Sequence, residues 1–166
     1  MVQIRPAVDT DAPAIADLIA SLAHLFLASP DGAGSAPFLD SIAPSALAAF
    51  IVRADVVYLV GERNGELCGA VGVMCDSRKP PHLHHLFVAP QFQGRGIGGQ
   101  LWLAARRATW TGKATGAFTV NASLSAVAVY RRFGFETVGK VAQANGLIFQ
   151  PMQQLAHPSG TADPAG

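Results

Sequence analysis

The sequence has little cysteine and little charge, and each shortage excludes a class of protein. Its two cysteines, Cys68 and Cys75, provide neither a disulfide framework nor a metal cluster. An extended chain would hold their Cα atoms about 23 Å apart, whereas a disulfide needs a Cα–Cα distance of about 7 Å or less. We therefore expect both cysteines to be small core residues without a disulfide. Charged residues make up 14% of the 166 residues and apolar residues 50%, so the chain can bury the core of one domain rather than remain disordered.

Long apolar runs are also missing. The longest, residues 18–28, is interrupted by Ser21 and His24 and is shorter than the roughly 20 residues that cross a membrane. The segment Met1 to Pro6 lacks the basic and then apolar order of a secretory signal. We therefore expect no membrane partner and a cytoplasmic location.

The net charge of +1 conceals an uneven distribution. Residues 1–90 carry nine acidic and five basic residues, whereas residues 91–140 carry one acidic and seven basic residues. The basic part suits a compact polyanion and the acidic part a cation. The basic residues do not form a run that alternates regularly with aromatic residues, so no nucleic-acid partner is expected. The seven basic residues are Arg95, Arg106, Arg107, Lys113, Arg131, Arg132 and Lys140.

Residue patterns predict a mixed α/β domain over residues 1–155 and a frayed tail over residues 156–166. The first predicted helix follows a cap at Asp9 and ends near Ala28. Three further helices are predicted over residues 46–52, 96–109 and 123–133. Predicted strands cover residues 2–5, 56–61, 67–75, 83–88, 117–120, 135–141 and 147–152, and the last two pair. Asn64-Gly65 predicts a hairpin, and residues 29–37 a loop.

Residues 88–99, V-A-P-Q-F-Q-G-R-G-I-G-G, form the most informative segment. A strand ends there and a helix begins, so main-chain N–H groups and the positive end of the helix dipole face outward. A phosphate group suits such a loop. Glycine is expected at Gly96 and Gly98 because a Cβ would hold a pyrophosphate away from the amides.

Two common phosphate-binding motifs fit this loop poorly. A nucleotide P-loop requires Gly-Lys-Ser/Thr, but Gly98-Gly99-Gln100 stands here. Residues 94–99 read G-x-G-x-x-G, as in dinucleotide-binding folds. However, five residues separate Val88 from Gly94, and no acidic residue that could bind a ribose follows until Glu136.

The pattern Gln93-x-x-Gly96-x-Gly98 resembles the signature of the GNAT superfamily of acyl-CoA-dependent N-acetyltransferases. The resemblance is densest from His82 to Phe135, and the element order over residues 2–152 is also similar. It implies a mostly antiparallel central sheet, splayed at a cofactor slot, with helices on both faces. It further implies acetyl-CoA as the co-substrate, an amine as the acceptor and no metal.

The resemblance also implies where acetyl-CoA would bind. Leu86, Phe87 and Val88 would align the pantetheine arm like an additional strand. The thioester would lie in the slot between residues 83–88 and 117–120, and the N–H of Val88 would stabilise the oxyanion. The residues expected to hold the pyrophosphate are Gln93, Gly94, Arg95, Gly96, Ile97 and Gly98.

A second motif runs from Asn121 through a helix to Tyr130-x-x-x-Gly134-Phe135, and it is similar to the same family. By this resemblance Tyr130 is the general acid, since a phenol of pKa about 10 can protonate a departing thiolate. The residues alone also allow Tyr130 to be a packing residue. They leave open whether Asn121 bonds the pantetheine amides or caps the helix, and whether Arg131 and Arg132 reach the ribose phosphate or complement the helix C-terminus.

The attacking amine must lose a proton, because an alkylammonium of pKa about 10 is not nucleophilic. Many relatives place a glutamate where this chain has His82. Strand alternation predicts His82 and His84 on one face and His85 on the other. The pair is similar to that of the serotonin N-acetyltransferases, which implies His84 as the base and His82 as its relay. Packing or solvated histidines are the alternative, and a zinc site lacks a third ligand.

We therefore predict direct acetyl transfer from acetyl-CoA to a primary amine of a small molecule. Protein or peptide N-terminal acetylation, and a non-catalytic acyl-CoA-binding module, are the alternatives. A homodimer is compatible with the family resemblance. His24 is expected to face the core and to be structural, although it is also among the residues that could contact the amine, which are Asp31, Asp40, Phe38, Phe26 and His24.

Overall fold

The computed structural model describes residues 1–109 and 117–154. Their strands are β1 (Gln3–Pro6), β2 (Val56–Arg63), β3 (Glu66–Met74), β4 (His82–Val88), β5 (Phe118–Ala122), β6 (Phe135–Thr137), β7 (Ala142–Ala144) and β8 (Leu147–Gln154). Their α-helices are α1 (Ala12–Leu22), α2 (Ala36–Ser41), α3 (Pro44–Ile51), α4 (Ile97–Thr109) and α5 (Val127–Arg132). The predicted tail and Lys113 lie outside the described residues.

The sheet has the order β1-β2-β3-β4-β5-β8-β6, and β7 pairs with β8. Its pairs are antiparallel except for β4 with β5, which are parallel and pair only at His82 with Thr119 and Leu83 with Val120. Parallel strands need a long crossover, which α4 provides here. Beyond Leu83 the two strands diverge, so the expected mostly antiparallel sheet with a splayed slot is confirmed.

Helices cover both faces of this sheet, as expected. The ring of Tyr58 on β2 contacts Phe50 of α3, with 6.1 Å between ring centroids. A Cβ added at Gly61, three residues farther along β2, would lie 3.5 Å from Leu101 of α4. Residues three apart on a strand point to opposite faces, so α3 and α4 lie on opposite sides.

Two hairpins have Asn-Gly turns. Asn64 and Gly65 have φ values of 54° and 78°, which confirms the predicted hairpin between β2 and β3. Asn145 and Gly146, with φ values of 52° and 74°, join β7 to β8 in the same way. The prediction of one strand over residues 135–141 is wrong, because the chain turns at Gly139, where φ is 69°, and β7 is a separate strand.

The first helix is shorter than predicted. It ends at Leu22, and residues 26–28 instead pair with the β7–β8 hairpin. Ile148 N donates to Phe26 O at 3.0 Å, and Ala28 N donates to Gly146 O at 2.7 Å. These tertiary bonds replace the predicted helical ones. The predicted loop, residues 29–37, overlaps the first two residues of α2, whose first turn carries a proline. Among the described residues, no helix has the length and apolar character of a membrane span.

Candidate active site

The divergence of β4 from β5 leaves one edge of β4 unpaired. Ala89 N donates to Cys68 O at 2.9 Å, on the β3 side. Backbone groups alternate between the two sides of a strand, so the N–H groups of Leu86 and Val88 point toward β5 instead. A cleft of about 1000 Å³ lies along this edge. The unpaired edge is free to pair with an extended ligand, and the role expected for residues 86–88 stays a prediction.

One end of the cleft is the loop of residues 93–99, which we call the glycine-loop end. Among the described residues, no backbone or side-chain acceptor receives a hydrogen bond from the six amides of residues 94–99. The first intrahelical bond runs from Gln100 N to Gly96 O at 3.1 Å. Consecutive unpaired N–H groups at a helix start are able to bind an anion such as a phosphate.

Glycines keep this site open. Gly94 and Gly96 have φ values of 72° and 74°, and an added Cβ at either would meet no atom within 4 Å, so it would project into open space. Gly98 differs, because its Cβ would contact Val88 Cγ2 at 3.7 Å, and its φ is not in the left-handed region. The backbone conformation therefore favours glycine at Gly94 and Gly96. The expectation for Gly96 and Gly98 concerned the access of a pyrophosphate to the amides, and it stays a prediction.

The remaining loop residues have different positions. Gln93 Nε2 donates to the Val88 carbonyl at 2.9 Å and so fastens the loop to the end of β4. Ile97 is 3% exposed, so it offers a ligand only its main chain. Arg95 is exposed and lies outside the cleft lining, whereas Arg132 of α5 is part of it.

Tyr130 lies in the cleft wall and is held by aromatic neighbours. Its ring packs edge-on against Phe133 and Phe135, with centroid distances of 6.1 and 5.7 Å. Phe135 in turn contacts Trp102 of α4 at 5.3 Å. Tyr130 is 7% exposed, and burial raises the pKa of its phenol. Tyr130 therefore keeps its proton at neutral pH, as a general acid must.

Asn121 is an exposed residue of β5 in the cleft lining. The turn that follows it, Leu124–Ala126, is preceded by Ser123 and has no side-chain cap. The capping role considered for Asn121 is therefore absent from the structure, and its amide faces the cleft.

A β-bulge changes the arrangement of the three histidines. Gly72 pairs with His85 and Val73 pairs with Leu83, so His84 is an additional residue without a partner on β3. The rings of His84 and His85 lie 4.4 Å apart, and they contact the same Phe50 ring at 5.1 and 5.9 Å. The prediction that His85 faces away from His84 is wrong, because the bulge interrupts the strand alternation.

The three histidines have different partners. His82 Nδ1 lies 2.8 Å from Thr119 Oγ1 of β5, at one of the two positions where the strands pair. His84 is exposed to the cleft, and its ring centroid is 6.3 Å from that of His82. Although the residue is exposed, its ring packs against Phe50 and His85, and this desolvation, followed by the charges of His82 and Arg53, lowers the pKa of His84 to about 4. Desolvation also lowers the pKa of His82, so both rings are neutral at pH 7.

The opposite end of the cleft, which we call the aromatic end, is formed by Phe26, Phe38, His84, His85 and Phe87. Their rings form a chain in which Phe26 contacts Phe38 at 5.2 Å and Phe87 at 5.9 Å, and Phe87 contacts His85 at 5.5 Å. The sequence suggested Phe26 and Phe38 as substrate contacts, but it did not indicate His85 or Phe87 for this end.

The acidic candidates and His24 lie elsewhere. Asp31, Asp40 and His24 are absent from the described cleft lining, which contains no carboxylate. His24 is exposed on a turn, so its predicted place in the core is wrong. No described group of three or more His, Cys, Asp or Glu residues could hold a metal ion.

The β7–β8 hairpin closes one side of the aromatic end. Leu147, Ile148 and Phe149 line the cleft, and the bonds to Phe26 and Ala28 hold the hairpin in place. A Cβ added at Gly146 would lie 2.5 Å from Ser35 N, so only glycine allows this approach. The Asn145-Gly146 dipeptide was the sequence signal that could have revealed the hairpin.

Comparison with known proteins agrees with this geometry. The sequence model described as an acetyltransferase (GNAT) domain matches residues 26–156. No match was found among curated protein sequences.

Several solved structures have a similar fold. The PaiA N-acetyltransferase of Thermoplasma acidophilum, in complex with coenzyme A, has a TM-score of 0.72 and 17% identity, over 93% of this chain and 99% of that one. N-acetylglutamate synthase of Neisseria gonorrhoeae, complexed with coenzyme A and N-acetyl-glutamate, has a TM-score of 0.71 and 20% identity, over 95% of this chain and 36% of that one. Ribosomal-protein-alanine N-acetyltransferase of Brucella melitensis has a TM-score of 0.69 and 23% identity, over 92% of this chain and 99% of that one.

Because the domain match covers more than half of this chain, the chain belongs to the GNAT acetyltransferase family and is an acyltransferase that uses acetyl-CoA.

Proposed function

We propose that the protein transfers the acetyl group of acetyl-CoA directly to the primary amine of a small molecule. The observation that carries this proposal is a single cleft with two chemically different ends. Six unpaired amides suit the diphosphate at the glycine-loop end, and neutral histidines at the aromatic end suit an amine that must lose a proton. The unpaired edge of β4 connects the two ends.

Coenzyme A fits the residues at the glycine-loop end. Residues 93–98 would hold its diphosphate, and Leu86, Phe87 and Val88 would hold its pantetheine arm along the β4 edge. Asn121 and Arg132 face the same cleft and would contact the arm and a phosphate. Bound there, acetyl-CoA supplies an activated acetyl group on a thiol leaving group.

His84 would accept the amine proton, with His82 passing it on through water toward Thr119. With a pKa of about 4, His84 is a weak base that is unprotonated at pH 7. It can therefore accept the amine proton, but it passes the proton on rather than retaining it. The Val88 N–H, which points into the slot, would donate to the carbonyl oxygen as negative charge develops there.

Tyr130 would donate its proton to the departing sulfur. Its raised pKa keeps the phenol protonated until the thiolate forms, and the contacts with Phe133 and Phe135 fix the ring. Because the nucleophile and leaving group are positioned in one cleft, proximity supplies a large share of the rate enhancement.

The wall that the β7–β8 hairpin forms on one side of the aromatic end supports a small amine as the acceptor. The β7–β8 hairpin and residues 26–28 are joined by main-chain hydrogen bonds on one side of this end. Apart from Ser41 and Asn145, the lining there is aromatic or aliphatic, and it includes no described carboxylate that would retain the amine as a cation. An amine with an apolar body matches this lining better than a polyamine.

The test is an acetyl-transfer assay over a panel of small amines and N-terminal peptides, with thiol release and product mass as readouts. We expect small amines to be acetylated and Tyr130→Phe to lower kcat about 10²-fold, with little change in acetyl-CoA affinity. Faster acetylation of peptides would instead identify an N-terminal acetyltransferase. Tight acetyl-CoA binding without thiol release would identify a binding module, and an unchanged kcat in Tyr130→Phe would exclude Tyr130 as the acid.

A further inference from the structure

A buried hydrogen bond beside the aromatic end has no part in the acetyl transfer described above. The Tyr58 hydroxyl and His85 Nδ1 lie 3.0 Å apart, and the two residues are only 4% and 6% exposed. Gly72 makes room for this arrangement, because an added Cβ there would lie 2.6 Å from the Tyr58 ring. The Tyr58 ring also packs edge-on against Phe50. The bond is therefore fixed by packing on both sides.

The available hydrogens determine the tautomer of His85. The Tyr58 O–H has no other acceptor among the described residues, and an unpaired hydroxyl hydrogen would be destabilising in a buried site. Tyr58 therefore donates to Nδ1 of His85, which places the ring hydrogen on Nε2. Burial lowers the pKa of His85 well below its ordinary value, so the ring remains neutral.

The Nε2 side of the His85 ring is not fully enclosed. His85 is part of the cleft lining, and its Nε2 makes no hydrogen bond to any described residue. Among the described residues, Gln154 Oε1 is the one polar side-chain atom that is both fully buried and without a hydrogen-bond partner. His85 Nε2 also lacks a partner, so it is not fully buried and keeps some exposure. A ligand at the aromatic end can therefore reach this N–H.

We propose that His85, held in its Nε2–H tautomer by Tyr58, is a neutral hydrogen-bond donor that selects amines carrying an uncharged oxygen acceptor. This inference rests on the proposed function and specifies its substrate class. The neighbouring Phe26, Phe38 and Phe87 rings favour an apolar body around that oxygen. A carboxylate would be disfavoured, because among the described lining residues the single arginine or lysine is Arg132, on α5. Tyr58 is a positioning residue that acts through His85.

The kinetic test uses amines of equal size that differ in one oxygen. 3- and 4-Methoxybenzylamine are compared with 3- and 4-ethylbenzylamine as acceptors, by kcat/KM. We expect at least one methoxy amine to be preferred about tenfold over its ethyl partner, the value of one neutral hydrogen bond. Tyr58→Phe and His85→Leu should bring this ratio close to one. His85→Gln should retain it, because the Gln amide can accept from Tyr58 and donate into the cleft.

The spectroscopic test does not depend on turnover. In the full chain labelled with ¹⁵N, the His85 imidazole at pH 7 should show a protonated Nε2 and an unprotonated Nδ1. Addition of a preferred methoxy amine should shift the Nε2–H signal, whereas its ethyl partner should not. Tyr58→Phe should release the ring to a mixture of tautomers.

The outcomes separate this inference from the proposed function. Tyr130→Phe should slow both members of a pair equally and preserve their ratio, so it reports on acetyl transfer alone. Absence of any acetylation with a selective Nε2–H shift would overturn the proposed function and support the donor role. A protonated Nδ1, or equal use of methoxy and ethyl amines by the wild type at both ring positions, would overturn the donor role.

Discussion

The two ends of the cleft differ in which part of the chain provides their binding groups. At the glycine-loop end these groups are main-chain amides of consecutive residues, and the side chains serve mainly to fasten the loop, as Gln93 does to Val88. At the aromatic end they are side chains from separate elements, including Phe38 of α2 and His85 of β4, together with the β7–β8 hairpin. Main-chain recognition fits one ligand common to many relatives, whereas side-chain recognition can change with a few substitutions.

The largest effect is expected at the glycine-loop end. Gly96→Val should raise the Kd of coenzyme A more than 100-fold, because the side chain would project into the space beside the amides and a β-branched residue resists a φ of 74°. Calorimetric titration measures the Kd, and thermal unfolding measures the accompanying loss of stability.

A matched variant separates strain from blockage. Gly65 has a φ of 78° and also leaves open space for a Cβ, but it lies in the β2–β3 turn away from the cleft. Gly65→Val should lose stability and still bind coenzyme A normally. Equal loss of binding in both variants would mean that the amides of residues 94–99 do not hold the diphosphate.

At the aromatic end, His84→Gln should lower kcat about 10²-fold, because glutamine cannot accept the amine proton. With a pKa of about 4 for His84, the wild-type kcat/KM should rise with pH as the free amine deprotonates, without an inflection near 6.5 from this residue. A pH profile measured from 5 to 9 checks both points. Unchanged turnover in His84→Gln would remove it as the base.

The β7–β8 hairpin provides a test of the closed shape of the aromatic end. Gly146→Ala should push the hairpin away from Ser35 and raise the KM of the amine about tenfold, with acetyl-CoA affinity unchanged. Gly139→Ala is the control, since Gly139 has a similar φ of 69° but no atom within 4 Å of an added Cβ. If both variants raise the amine KM equally, contact between the hairpin and residues 26–35 does not shape the site.

The difference between the ends also explains how far the sequence could predict them. The Gln93-x-x-Gly96-x-Gly98 pattern identified the glycine-loop end because its ligands are successive residues of one segment. His85 was assigned to the wrong face because a bulge depends on the register of β3 against β4, which no local pattern in β4 shows. The predicted end of α1 failed near Phe26 because its competing partner, Ile148, lies more than 100 residues away.

The smallest expected effect is the pH dependence of stability. Burial holds the pKa values of His82, His84 and His85 below about 6.5, so the unfolded chain binds protons that the folded chain refuses. The free energy of unfolding should therefore fall as the pH drops from about 6.5 toward 4, before the Asp11 carboxylate, whose pKa Arg5 lowers below 3.8, begins to lose its ion pair. Urea unfolding at several pH values measures this slope. His85→Gln should make the slope shallower. A wild-type slope confined to the region below pH 4 would show that the histidine cluster adds nothing to acid sensitivity, because its rings would then bind protons as readily in the folded chain as in the unfolded one.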